Sequence, residues 1–178
     1  AGQWGPAEQH YREAARLREE RGDVAGAART WNQLAIINAH QGKAEAAETW
    51  YRKAINVDRD NPKELAPDLY NLANLLQHQP GRIGEARRLA EEALAIMQTL
   101  DPGAAEIWKI FNILAQIAER EAAAAPGAAD REARRREAAD YRRQARAAKR
   151  AFAGTAHELR RWAPIIAASV GAVAGEPQ

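Results

Sequence analysis

The chain has 178 residues, a formal net charge of +2, no cysteine and 43 alanines. That alanine content excludes an all-β sandwich or barrel, because alanine fills a pleated surface poorly and is the strongest helix former. The lack of cysteine removes a disulfide scaffold, a zinc-thiolate site and a cysteine nucleophile, and aromatic residues at 6% leave the core to alanine and leucine.

The predicted elements are helices, and they repeat. Residues 7–20 form the first, with Ala7, Tyr11 and Ala14 spaced four then three. Residues 24–40 and 43–58 form a pair around the turn His40-Gln41-Gly42. The first member carries Trp31-Asn32-Gln33-Leu34-Ala35, and the second repeats the triplet as Ala47, Tyr51 and Ala54. Residues 64–78 and 83–99 form the next pair around His78-Gln79-Pro80-Gly81. Leu69-Tyr70-Asn71-Leu72-Ala73 lies in its first member and Ala86, Ala90 and Ala93 in its second. Pro67 is acceptable there only in a first turn. Residues 104–124 and 130–152 form a third, longer pair, with Phe111-Asn112-Ile113-Leu114-Ala115 in its first member. A low-complexity alanine loop near 122–130, around Pro126-Gly127, is expected between them. A last helix over 155–170, shortened or kinked by Pro164 and anchored by Trp162, closes the array. Glycine stops the first helix of the first two pairs, and Asn61-Pro62 and Asp101-Pro102 punctuate the ends of those pairs. The triplets recur after 40 and then 39 residues, and the Leu-Ala pairs after 38 and then 42. A fixed period of this kind marks a stacked array rather than an irregular bundle.

The pattern W-x-x-L-A, Gly, A-x-x-x-Y-x-x-A resembles the tetratricopeptide repeat, a helix-turn-helix unit. Trp31, Leu34, Ala35, Gly42, Ala47, Tyr51 and Ala54 carry the resemblance in one unit, and Leu69, Leu72, Ala73, Leu76, Ala86 and Ala93 in the next. The third rests on Leu114, Ala115, Ala138 and Ala145. The long period is similar to that of kinesin light chains and bacterial regulators. The resemblance implies an all-α, right-handed α-solenoid of about three helix pairs plus a C-terminal capping helix. Residues 1–20 would be the second helix of a truncated repeat, with repeats at 21–61, 62–102 and 103–153 and a capping helix and flexible tail at 154–178. It also implies a protein–protein interaction module without enzymatic activity, serving as the sensor or scaffold part of a larger bacterial signalling protein. The alternative is a scaffold that self-associates as a homo-oligomer through the exposed apolar side of residues 7–20.

A stack of this kind lays its first helices side by side along a concave surface. The residues expected to face it are Asn32, Tyr70, Asn71, Asn74, Gln77, Lys109, Asn112, Gln116 and Arg120. Asn32, Asn71 and Asn112 recur once per unit, although asparagine is a mediocre helix former. An amide carries donors and an acceptor, so it suits the main chain of an extended peptide; the competing reading is that each asparagine bonds the neighbouring repeat. Lys109 and Arg120 would favour acidic groups on the ligand.

The stretch 131–161 holds 11 basic and 4 acidic residues. Arg136, Arg143, Arg146 and Arg150 fall opposite an apolar stripe of Ala138, Tyr141, Ala145, Ala148 and Phe152, which makes a candidate face for an acidic partner. An ordinary solvated face, partly neutralised by Glu132, Glu137 and Asp140, is the favoured reading, and nucleic acid is not expected, since no stacking aromatics interleave.

No cofactor or metal is expected. His40 and His78 sit beside their turns, but helices about 8–10 Å apart keep one ion from reaching both. His157-Glu158 has Arg161 where the second histidine of a zinc motif would stand. The sole serine is Ser169, in no nucleophile elbow, and Gly81-Arg82-Ile83-Gly84 lacks the ending of a phosphate loop. The apolar stretch 162–174 is short of the roughly 20 residues of a spanning helix, and no leader is evident, so a cytoplasmic location is expected. Arginine outnumbers lysine 21 to 5, as a high-GC bacterial genome would give.

Overall fold

The computed structural model describes residues 4–100 and 106–173, with side chains to residue 154. The elements are α1 (Trp4–Glu20), α2 (Val24–His40), α3 (Ala44–Asp58), α4 (Pro62–Leu76), α5 (Ile83–Thr99), α6 (Ile107–Ala124) and α7 (Ala128–Val173), with no strand among the described residues.

The first two hairpins turn alike. Gly22 and Gly42 hold φ at 71° and 75°, where a side chain would meet a steric penalty. Each donates to the carbonyl three residues back, Gly22 to Glu19 at 3.1 Å and Gly42 to Ala39 at 3.0 Å. The next N–H reaches five residues back, Asp23 to Arg18 and Lys43 to Asn38, both at 2.9 Å. Last-turn carbonyls are thereby satisfied at each turn. Asp23 then caps α2, its carboxylate accepting from the Gly26 N–H at 2.9 Å.

Each helix packs on the next. α2 and α4, and α4 and α6, also approach within 8 Å between Cα atoms, whereas among the described residues α1 and α3, α3 and α5, and α5 and α7 do not. The odd-numbered row is therefore splayed and the even-numbered row drawn together, so the all-α solenoid is concave on the side of α2, α4 and α6. Long charged side chains span the wider gaps. Lys53 pairs with Glu19, Arg52 with Glu85 at 2.6 Å, Arg82 with Glu48 at 3.0 Å and Arg87 with Glu137 at 2.8 Å.

The repeat positions are the core. Leu34, Ala35, Leu72, Ala73, Leu114 and Ala115 are at most 2% exposed, as are Ala86, Ala90 and Ala93, and Tyr51 between Ala47 and Ala54 is 3% exposed. Small side chains let paired helices close up while leucines fill the spaces between them, each contributing roughly 1.5–3 kcal/mol on full burial. The triplet of α1 differs. Ala7 and Ala14 are half-buried and Tyr11 is 36% exposed, because no described helix lies against that side.

Three expectations are corrected. The loop placed at 122–130 is largely helix: α6 continues to Ala124 and α7 starts at Ala128, since a run of alanines prefers helix to loop and Ala122 gains a buried position. The third unit is thus lengthened by its helices and not by its turn. No separate capping helix follows residue 153, because α7 is continuous over 46 residues. Gly154 costs a helix only about 1 kcal/mol against alanine, too little to break a run bordered by Ala151, Ala153 and Ala156. The helix also passes through Pro164; the expected anchoring by Trp162 concerns side chains outside the described residues, as does any tail beyond Val173. Finally, α4 starts at Pro62, two residues earlier than expected, so Pro67 falls inside the helix rather than in its first turn. Pro67 has no N–H to donate back along α4, and it is only half-buried.

Candidate functional site

The concave side is lined by residues that the repeat places one turn away from its buried Leu-Ala pairs. A cavity of 500 Å³ opens between α2, α3 and α4, with Ile36, Ala39, Tyr51 and Leu75 as apolar lining and Asn71, Asn74, His40 and His78 as polar lining. A second cavity of 260 Å³ lies between α2, α4 and α6, bordered by Ile36, Pro67, Tyr70, Met97, Lys109 and Ile110. Asn71 and Ile36 border both.

The expected amide row divides into two sets. Asn32 is 9% exposed; its amide donates to Asp68 and its Oδ1 accepts from Asn71 at 3.4 Å. Gln77 is 3% exposed and donates to Asn74 and Gln116, both at 2.9 Å. These two buried amides tie α2 to α4 and α4 to α6. Asn71 and Asn112 are half-buried, and Asn74 and Gln116 are exposed on the groove. Asn71 engages only its Nδ2, and Asn112 makes no side-chain hydrogen bond among the described residues. The recurrent asparagines therefore do not form one equivalent ladder.

The groove cations also differ. Lys109 pairs with Glu106 and lies 5.7 Å from the centroid of the Trp108 ring. Arg120 donates to His78 Nδ1 at 2.9 Å. Burial, reinforced by the Arg120 charge, holds the His78 pKa below its usual value. The neutral ring accepts from the guanidinium, so Arg120 keeps a charge with no carboxylate partner among the described residues. His40 instead stacks on Trp4, with centroids 5.1 Å apart. No group of three or more His, Cys, Asp or Glu is placed to hold a metal among the described residues. On α7, Arg136 bonds Glu132 at 3.0 Å and Arg143 bonds Asp140 at 2.5 Å, while Arg146 and Arg150 have no ion pair among the described residues.

Sequence reasoning missed the acidic residues at one rim of this groove. Asp68, on α4, is 3% exposed and Asp58, at the end of α3, is 5% exposed. Their carboxyl groups lie within hydrogen-bonding reach of one another. Burial, with Asp58 and Glu64 adding to it and the Asn32 amide opposing it, pushes the Asp68 pKa up to about 7; burial and Glu64 raise that of Asp58. A signal was present, since Asp58 follows Ile55 by three and Asp68 stands between Leu65 and Leu72, so both acids lie on apolar stripes. Arg87 was missed as well. Its side chain is 13% exposed and reaches Glu121 on α6 at 2.5 Å and Glu137 on α7 at 2.8 Å.

A tetratricopeptide repeat family model matches residues 1–60 and 26–99. Among solved structures, BtubC (BKLC) from P. vanneervenii is similar, with 25% identity, a TM-score of 0.67, and coverage of 84% of this chain and 59% of that one. The chain thus spans 59% of the length of that protein. No curated protein matches the sequence. No helix among the described residues is long and apolar enough to cross a membrane.

Proposed function

The chain belongs to the tetratricopeptide repeat family, whose repeats mediate protein–protein interaction, and we propose that it captures an extended peptide or partner helix in the groove lined by α2, α4 and α6. The observation carrying this reading is the pairing of the 500 Å³ cavity with amides that keep unused hydrogen-bonding capacity at its edge and farther along the groove. Asn71 Oδ1 and both polar atoms of Asn112 are available to a peptide main chain, whose N–H and C=O groups recur whatever its sequence. Tyr70, Asn74 and Gln116 extend the polar lining, and Arg120, with Lys109, supplies positive charge for acidic groups. Asn32 and Gln77 contribute by holding adjacent repeats in register.

The test is a display selection of peptides against the immobilised protein, followed by affinity measurements on the selected sequences. Asn71→Ala together with Asn112→Ala should weaken binding about tenfold, as expected for roughly two lost hydrogen bonds, with the circular dichroism spectrum unchanged. Undiminished affinity in that double variant would sink the groove reading. In the wider setting we propose, this module is the sensor or scaffold part of a bacterial signalling protein in the cytoplasm, a proposal supported by the family and by the arginine-rich composition.

A second reading, self-association, has its own observation. Trp4, Tyr11 and Leu17 on α1 are 38%, 36% and 37% exposed, while Tyr51 in the equivalent place is 3% exposed. Light scattering over a concentration series tests it: the mass should rise with concentration and Tyr11→Glu should return it to the monomer value. A constant monomer mass refutes this reading.

A further inference from the structure

At the rim of the groove where α4 begins, a cavity of 210 Å³ is bordered by Arg29, Asn32 and Gln33 of α2, Asp58 of α3, and Glu64, Pro67 and Asp68 of α4. Its charges do not balance. Three carboxyl groups face a single guanidinium, that of Arg29, which lies 3.7 Å from Glu64. Asp68 is only 3% exposed, and its Oδ1 accepts from the Asn32 amide. Its Oδ2 is buried with no donor. A buried carboxylate oxygen without a donor is costly, and Asp58 supplies one only while a proton sits between the two acids. The pair therefore needs either that proton or an external cation. The cavity has room for the end of one side chain and not for a larger ligand.

We infer that this cavity receives the ammonium or guanidinium end of a lysine or arginine side chain on the bound partner, held between Asp58 and Asp68. The inference rests on the peptide-binding reading above and adds a direction to it. The cavity at the beginnings of α2 and α4 holds three carboxyl groups to one guanidinium, and Lys109 at the beginning of α6 is paired with Glu106, while Arg120 stands near the end of α6 and meets His78 just past the end of α4. A peptide crossing the groove is thus oriented by a basic residue at one rim and an acidic residue at the other. A basic group replaces the shared proton with donors that remain in place at neutral pH.

The test uses three pools of otherwise randomised nonapeptides, with the central position fixed as lysine, arginine or norleucine, passed over the immobilised protein at low salt. The wild type should retain the lysine or the arginine pool at least about fivefold over norleucine, a modest ratio for a partly desolvated charge pair. Asp68→Asn and Asp58→Asn should each abolish that preference while capturing norleucine peptides as the wild type does. Glu45→Gln, the same charge change on the exposed start of α3, should leave it intact. Equal retention of all three pools overturns the inference and leaves the peptide-binding reading standing. Retention of none overturns both. A preference that survives in Asp68→Asn and Asp58→Asn, or is lost equally in Glu45→Gln, assigns the effect to general surface charge and overturns the inference. Putrescine should compete only weakly, because it shares the ammonium group and lacks the main chain that the groove holds; putrescine bound more tightly than the retained lysine or arginine peptides at the same ionic strength would make a free diamine the ligand and overturn the partner side chain as its source.

Discussion

Replacing Asp68 by asparagine should make the protein more stable at pH 8 and change little near pH 4. The folded-state pKa of Asp68 is about 7, against about 3.9 for an aspartate in an unfolded chain. Because the folded value is the higher, the folded state holds the proton more tightly. The stabilising contribution of the neutral acid is fully present below about pH 4, declines as pH rises, and is lost once pH passes about 7. Three pH units at 1.36 kcal/mol each give an upper figure of about 4 kcal/mol; sharing of the proton with Asp58 makes about 2–4 kcal/mol the expected range. Asparagine keeps the acceptor for Asn32 and offers an amide donor to Asp58, with no charge to desolvate. Urea denaturation followed by circular dichroism at pH 4.5, 6, 7 and 8, at constant ionic strength, measures the difference between the variant and the wild type. Glu8, Glu48, Glu85 and Glu137, whose pKa values are lowered, stabilise the fold as pH rises through the carboxylate range, but they do so in both proteins and cancel. A difference that stays flat from pH 4.5 to 8, or a variant less stable at pH 8, would refute the reasoning.

Other substitutions test the packing and the turns. Leu72→Ala, at a position with 0% exposure, should cost about 2–5 kcal/mol in urea denaturation. Arg87→Met leaves Glu121 and Glu137 with Arg134 as their remaining shared cation and should cost about 1–2 kcal/mol, less than a buried charge left wholly unpaired; adding Glu121→Gln should recover part of that loss, which a double-mutant cycle will read directly. Gly42→Ala, at a φ of 75°, should lower stability by about 1 kcal/mol through backbone strain, whereas Gly84→Ala, inside α5 with open space around its α-carbon, should raise it by about 0.5–1 kcal/mol.

The parts of this structure that were legible in the sequence depend on neighbours close along the chain. The expected span 83–99 is the observed α5, because its alanine triplet and the preceding glycine are local signals. The Leu-Ala pairs and the triplets of α3 and α5 could be assigned to the core because a helix carries residues three and four apart to one side, whereas the same triplet in α1 lies half-exposed. The amide row was only half legible. Asn71 stands one place nearer its Leu-Ala pair than Asn32 and Asn112 do, a rotation of about 100° on a helix, and it lies at the groove surface where Asn32 is buried. The pairing of Asp58 with Asp68, and the reach of Arg87 to Glu121 and Glu137, required knowing how three helices meet. The continuity of α7 was obscured by Gly154 and Pro164, two residues whose usual effect is to end a helix and through which α7 nonetheless runs.

The two edges of the solenoid are fastened by unlike chemistry. Along the convex edge, successive odd-numbered helices are linked by charges such as Lys53 with Glu19 and Arg52 with Glu85, whose side chains are 44%, 43%, 47% and 27% exposed. Along the concave edge, the links are the buried amides of Asn32 and Gln77. Salt screens the first kind, over a Debye length of about 10 Å at 0.1 M, and hardly touches the second. Ionic strength should therefore act on this protein as temperature acts on a bimetallic strip: the convex edge relaxes, the concave edge holds its length, and the superhelix bends more tightly. Small-angle scattering in rising sodium chloride will register this as a falling radius of gyration, and a radius that grows or stays constant would rule it out.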